Sequence, residues 1–180
     1  DDLEPDVERL VRRGIEELRS LGAEIVEIEM PWAKSPLGAG RRLVPVEAAW
    51  IHRRHLADPE IMRRIGKDVA ELMRRGGGVE ASDYYGWLDR RMEIARLADE
   101  LLQTVDLVVT PTAHRTAGLI AETETIAYHS VLAFTRVFDI THQPSISVPC
   151  GFDAGGLPVG LMLSGRRWND ALVLRAAYAY

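Results

Sequence analysis

The sequence predicts an α/β protein in which a mixed β-sheet is flanked by helices. Three observations carry this expectation. Apolar residues recur at helical spacing through most of the chain before Asp106. After it come three short runs rich in apolar and β-branched residues, "DLVVT", "SISVP" and "LPVGLMLSG". A helical pattern stands between the first two runs and another follows the third, as an alternating α/β order requires.

The first unit, residues 5–30, reads as helix then strand. Val7, Leu10, Val11, Ile15 and Leu18 form one apolar stripe with Glu and Arg opposite. Pro5 suits the first helical turn, and Gly22 stands where a left-handed cap would end the helix. "EIVEIEMP" then alternates Val26, Ile28 and Met30 with Glu27 and Glu29, the pattern of a strand with one wet face near a sheet edge.

The second segment, residues 45–104, reads as helical. "PVEAAWIHRRHLA" follows Pro45, and "DPEIMRRIGKDVAELMRR" begins at the Asp58-Pro59 break. Gly76-Gly77-Gly78 has neither a strand before it nor Lys-Ser/Thr after it, so it reads as a flexible helix connection and not a phosphate loop. From Ser82, a good N-cap, a long helix runs to about Thr104. Its stripe is Tyr84, Leu88, Arg91, Ala95, Ala98 and Leu102.

The third segment, residues 106–180, forms the sheet. "DLVVT", closed by Pro111, reads as a strand buried on both faces. "LIAETETIAYHSVLAFTRVF" contains a helix, "SISVP" is the next strand, and "LPVGLMLSG" alternates Val159, Leu161 and Leu163 with Gly160, Met162 and Ser164. The breakers of "DAGGLP" turn one strand into the next. "NDALVLRAAYAY" starts a helix capped by Asn169 or Asp170. The three segments are read as one domain over residues 1–180.

Composition narrows the function. A net charge of −5, with no strongly basic half, leaves no electrostatic footprint for nucleic acid. The single cysteine, Cys150, excludes an internal disulfide framework and suits a reducing compartment. The opening "DDLEPDVERL" has neither the pattern of a leader nor that of a membrane span, so a cytoplasmic protein without a membrane partner is expected.

Candidate chemistry is sparse. A nucleophilic serine needs a base and an oxyanion hole, and no Gly-x-Ser-x-Gly elbow occurs. Ser145 and Ser147 share one face of a strand, where close packing or a hydrogen bond to a neighbouring loop is the expected role. His52 and His55 share a helix face at a spacing metal ligands use, but no further ligand is near in sequence. They are read as surface histidines. No metal and no cofactor is expected.

"TRVFDITHQPSISVPCGF", with "VDLVVTPTA" and "GGLPVGLMLSGRRWND", resembles the C-terminal portion of the amidase signature family. That family commonly shows Asn-Leu-Thr/Ala-Gly-x-Pro-Ala-x-Ser-Val-Pro, then Gly-Leu-Pro-x-Gly-x-Gln-x-x-Gly. It also carries Asp-x-x-x-Thr-Pro-Thr, matched here by Asp106, Thr110, Pro111 and Thr112. The implied fold is the C-terminal half of the amidase signature fold.

The implied chemistry is amide C–N hydrolysis by a Ser–cis-Ser–Lys triad. Neither Lys34 nor Lys67 matches the family's lysine segment, and no Gly/Ser-rich signature loop is present. No catalytic residue is therefore assigned, and the chain by itself is expected to be inactive. Its partners would be the N-terminal half of the same amidase and a small-molecule amide, with a homodimer also compatible. Asp139, Thr141 and His142 precede a core strand in the loop that faces the reacting carbonyl in the family, and are the candidate substrate-binding residues. The bland alternative is a solvated loop in which Asp139 caps a turn.

Asp139 and His142 stand where the family commonly has Asn and Gly. Leu132 stands where the A subunits of glutamine-dependent aminoacyl-tRNA amidotransferases place an Asp that helps recognise glutamine. These departures point towards a less polar or aryl amide. A non-catalytic binding module and the amidotransferase A subunit stand as the alternative readings.

Overall fold

The computed structural model describes residues 3–34, 36–120 and 133–180. Helix α1, Pro5–Ser20, begins with proline in its first turn and buries Val7, Leu10, Val11 and Leu18. Gly22, at φ 100°, closes it as the left-handed stop expected. Residues 23–30 then form no strand. Val26 is exposed, while Ile28 and Met30 lean partly onto the core. The alternation expected there is real, but no strand among the described residues lies beside it to accept its backbone bonds.

After a 3-10 turn at Pro31–Lys34 comes the helical layer. It holds α2 (Pro36–Ile51), α3 (Arg53–Leu56), α4 (Pro59–Arg64), α5 (Lys67–Gly76) and α6 (Ala81–Leu101). Helix α2 starts well before Pro45, which lies inside it. The stretch read as one helix from Asp58 breaks at Ile65 and Gly66, where extended backbone ends α4 and Gly66 caps α5. Asp58 does cap α4, accepting from the Glu60 and Ile61 amides. Gly76 is not a free hinge: a Cβ there would lie 1.9 Å from the Pro45 carbonyl oxygen, so its smallness lets α5 press on α2. Ser82 does not cap α6, whose N-cap is Glu80 without a side-chain bond. Ala95, Ala98 and Leu102 of the expected stripe are buried. Its charged member, Arg91, lies half-buried with Glu47 of α2 3.9 Å away.

Strand β1 is Leu107–Pro111, β2 Ser145–Phe152 and β3 Pro158–Gly165, in the spatial order β1-β3-β2. Helix α7, Ala133–Thr141, precedes β2, and α8, Asp170–Ala179, follows β3. The part of the expected helix on residues 121–132 lies outside the described residues, as does Leu132. Both strand pairings are antiparallel, so among the described residues the sheet has no parallel component. The central β3 carries the burial: Leu161 and Leu163 are fully enclosed, and each such side chain contributes about 1.5–3 kcal/mol. Strand β1 is an edge of the described sheet, with Val108 buried on one face and Val109 partly buried against the α1 core on the other. Asn169 is the N-cap of α8, without a side-chain bond.

Alternation sorts the sheet into two faces. Ile146, Val148, Cys150, Val159, Leu161 and Leu163 join Val7, Leu10, Val11 and Leu18 of α1, with Ala176 and Ala177 of α8 behind them. On the other face Val108 and Met162 meet Leu102 beyond α6 and Val137 and Phe138 of α7. No described helix is long and apolar enough to cross a membrane.

Candidate substrate-pocket wall

The second face is polar where α7 does not cover it. Ser147 stands opposite Met162, which stands opposite Thr110, so all three point to this side. Ser145 and Ser164 are likewise paired. Their hydroxyls hydrogen-bond at 2.8 Å, and Ser147 Oγ meets Thr112 Oγ1 at 2.6 Å. Those are bonds of the bracing kind expected of the two serines. In both pairs the partner is another hydroxyl and not a base, so neither serine is set up as a nucleophile. The buried Thr110 Oγ1 has no partner among the described residues.

Gly160 makes the second hydroxyl pair possible. A Cβ there would lie 2.4 Å from Ser147 Oγ and 2.6 Å from Thr112 Oγ1, inside contact distance of both. Only glycine leaves the strands room to bring these side chains together. The result is a cleft of about 350 Å³ lined by Thr112, Arg115, Thr116, Ser147, Pro149 and Gly160.

The prolines of this region follow the ladder. The Thr112 amide donates to the Gly160 carbonyl at 3.0 Å, so in β1 the even-numbered amides turn towards β3 and the odd-numbered ones away. Pro111 therefore lacks an N–H only on the free edge. Pro149, opposite Gly160, holds the equivalent outward position on β2, because Gly160 turns its own backbone groups to β1. Proline on an edge, facing away from its neighbour, costs no ladder bond.

The β2–β3 turn is held by carboxylates. Asp153 accepts from the Leu157 amide and from Thr116 Oγ1, each at 2.8 Å. The Leu157 N–H, helped by Thr116, holds its carboxyl below the usual range. Asp6 of α1 accepts from the Ala154 amide at 2.9 Å, and Arg9 is the larger cause of its own lowered pKa. Burial pushes the Cys150 thiol up.

The three sequence-derived site residues lie at the end of α7, and only His142 is outside the helix. Asp139 is exposed on it. Thr141 is fully buried, and its one hydroxyl hydrogen is shared between the Val137 carbonyl at 2.7 Å and Gln143 Oε1. His142 is exposed and left-handed, at φ 62°, which is the conformation a glycine there would adopt without strain. Gln143 and Pro144 alone separate it from Ser145, which places the turn at one end of the hydroxyl face.

Spacing gave no hint of what holds this turn. Gln143, itself buried, donates from Nε2 to Asp99 Oδ1 at 3.3 Å. The same Asp99 of α6 takes a two-pronged bond from Arg167, with Nε to Oδ1 at 3.0 Å. Arg166 reaches the Leu102 carbonyl from Nη2 at 2.9 Å. Two segments distant in sequence, 99–102 and 166–167, thus close around residues 141–143.

His52 and His55 stack, with their Nδ1 atoms 3.2 Å apart, so one ring donates to the other. No third His, Cys, Asp or Glu joins them among the described residues.

A helix-flanked sheet with polar groups gathered where strands end is the kind of layered α/β domain that carries sites at such ends. A family model described as Amidase matches residues 1–174, and the chain belongs to that family. It is 32% identical to an amidase of Pseudomonas putida, across 100% of this chain and 40% of that protein. It is 30% identical to the A subunit of the glutamyl-tRNA(Gln) amidotransferase of Thermodesulfovibrio yellowstonii, across 99% of this chain and 42% of the relative. A crystal structure of an amidase superposes over 99% of this chain and 41% of its own, with a TM-score of 0.82 at 23% identity. That of the A subunit of the Thermotoga maritima glutamyl-tRNA(Gln) amidotransferase gives 0.77 at 28%, over 99% and 39%. The chain thus spans about two fifths of the length of the curated relatives it matches.

Proposed function

We propose that this chain is the C-terminal part of an amide C–N hydrolase and supplies its core strands and one wall of its substrate pocket. The observation that carries the reading is the hydroxyl face, built largely from the Thr-Pro-Thr and Ser-Val-Pro segments, where each serine is bonded to another hydroxyl and, among the described residues, to no base. A Ser–cis-Ser–Lys triad, implied by the family resemblance, would come from the N-terminal part of the parent polypeptide. The serine would attack the carbonyl, and a neutral lysine would take its proton through the bridging serine. Asp139, Thr141 and His142 form the end of the wall, with Thr141 shaping the turn from within and the two exposed residues meeting a small-molecule amide. The chain alone is inactive, and the enzyme is cytoplasmic.

The amidotransferase A subunit is kept as a second reading because relatives so named match at about the same identity as the amidase. The chain is expressed alone and with the preceding part of its parent, and both are assayed on hexanamide, benzamide and glutamine. The proposal expects turnover only by the complex, abolished by phenylmethylsulfonyl fluoride and highest on the two less polar amides. Turnover confined to glutamine would favour the amidotransferase. No turnover by an associated complex would favour a non-catalytic binding module. Hydrolysis by the chain alone, lost on Ser145→Ala or Ser147→Ala, would overturn the reading.

A further inference from the structure

In the turn that ends α7, the backbone of His142 has to be held in place. At φ 62° a non-glycine residue is strained, and such a conformation persists only where its surroundings impose it. Backbone closure does part of this: the Gln143 amide donates to the Phe138 carbonyl at 3.2 Å, the bond that ends a helix on a left-handed residue. The rest falls to the two neighbours, both buried. Thr141 is tied to the Val137 carbonyl and Gln143 to Asp99. The amidase pattern commonly has Gly at this position and leaves the next one open, whereas this chain has His142 followed by Gln143. With histidine there, the left-handed turn no longer comes free.

Asp99 decides how Gln143 is used. A carboxylate only accepts, so it takes the Nε2 end of the Gln143 amide and leaves Oε1 to Thr141. Arg167 fixes that carboxylate in turn, with Nε and Nη2 both on it. The ion pair is partly exposed, so its own contribution to stability is small, and its effect is orientation. We propose that Asp99 and Gln143 are positioning residues, which hold His142 left-handed and thereby fix how it meets the amide substrate. The inference rests on the reading that this turn is one end of a pocket wall. Both flanks of His142 are anchored through a single side-chain amide. Loss of Asp99 therefore relaxes the turn and changes which amides fit, although Asp99 itself touches no substrate.

The test is made on the parent enzyme, following Tm, exchange of the Gln143 amide hydrogen, and kcat/KM for hexanamide and benzamide. Asp99→Leu should speed the exchange and shift the ratio of the two kcat/KM values by about fivefold, the worth of one hydrogen bond. Asp99→Asn, which keeps an acceptor for Nε2, should fall between that variant and wild type. Gln143→Leu should match Asp99→Leu, and the two together should do no more than either alone. In a His142→Gly background Asp99→Leu should leave the ratio unchanged, because glycine keeps the left-handed turn unaided. Were Asp99 merely structural, its loss would lower Tm and scale both kcat/KM values together in either background, and that result would overturn the proposal. An unchanged ratio in Asp99→Leu, where His142→Gly alone changes it, would overturn the proposal and leave the pocket wall standing. A ratio that neither substitution moves would strike at the pocket wall and take the proposal with it. Should the parent hydrolyse no amide, the proposed function fails, and unchanged exchange at Gln143 in Asp99→Leu would refute the hold on the turn as well.

Discussion

Gly160→Ala probes the geometry on which the hydroxyl face depends. The added methyl would meet Ser147 Oγ at 2.4 Å, Thr112 Oγ1 at 2.6 Å and Thr112 Cβ at 3.1 Å. Both neighbours are short side chains on paired backbone, so neither can swing clear as a long side chain would. Overpacking of this kind costs about 1–3 kcal/mol. Separating the two hydroxyls forfeits a hydrogen bond worth about 1 kcal/mol more. The expected loss is therefore about 2–4 kcal/mol, which at roughly 3 °C per kcal/mol for a chain of this size lowers Tm by about 6–12 °C. Urea unfolding of wild type, Gly160→Ala, Ser147→Ala and the double variant measures it. Removing Ser147 Oγ takes away the closest contact, so the alanine at 160 should cost at least about 1 kcal/mol less in the Ser147→Ala background. A loss below about 0.5 kcal/mol, or the same loss in both backgrounds, would show that the strands do not press these side chains together.

Three further predictions concern the two ends of the hydroxyl face. His142→Gly relieves a left-handed backbone and should raise stability by about 0.5–1 kcal/mol in thermal unfolding. In the parent enzyme, His142→Gly and Asp139→Ala should also change the ratio of kcat/KM for hexanamide and benzamide. A uniform loss that tracks stability would remove both residues from the pocket. At the other end, the lowered pKa of Asp153 means that its bonds to Leu157 and Thr116 contribute fully above the ordinary carboxylate pKa of about 4, and that this contribution fades as pH falls through the lower folded value. The stability advantage of wild type over Asp153→Asn, read from urea midpoints, should shrink between about pH 6 and pH 3; an advantage constant over that range would refute the assignment.

Which elements were legible in the sequence follows from which are locally self-sufficient. Helix α1 was readable because its stripe, its first-turn proline and its stop glycine all lie within one short stretch. The β2–β3 hairpin was readable because breakers bound two strand-like runs. Residues 24–30 misled because alternation states only that a stretch suits a strand, whereas pairing needs a neighbour. The break at Gly66 was missed because the apolar spacing runs on across it while the backbone turns extended.

For the site, the residue types that matter were visible as the Thr-Pro-Thr and Ser-Val-Pro segments, and so was the lack of a Gly-x-Ser-x-Gly elbow. Membership of the amidase family was legible in the same segments. Tertiary structure alone decided who touches whom. Thr112 and Ser147 meet only because β3 lies between β1 and β2 with a glycine at their crossing. Likewise Asp99, held by Arg167, meets Gln143 of the His142 turn, joining it to two distant segments. Helical and strand periodicity report which side of an element seeks the core. They hold no record of register between distant strands, and it was register that gathered scattered hydroxyls onto one face.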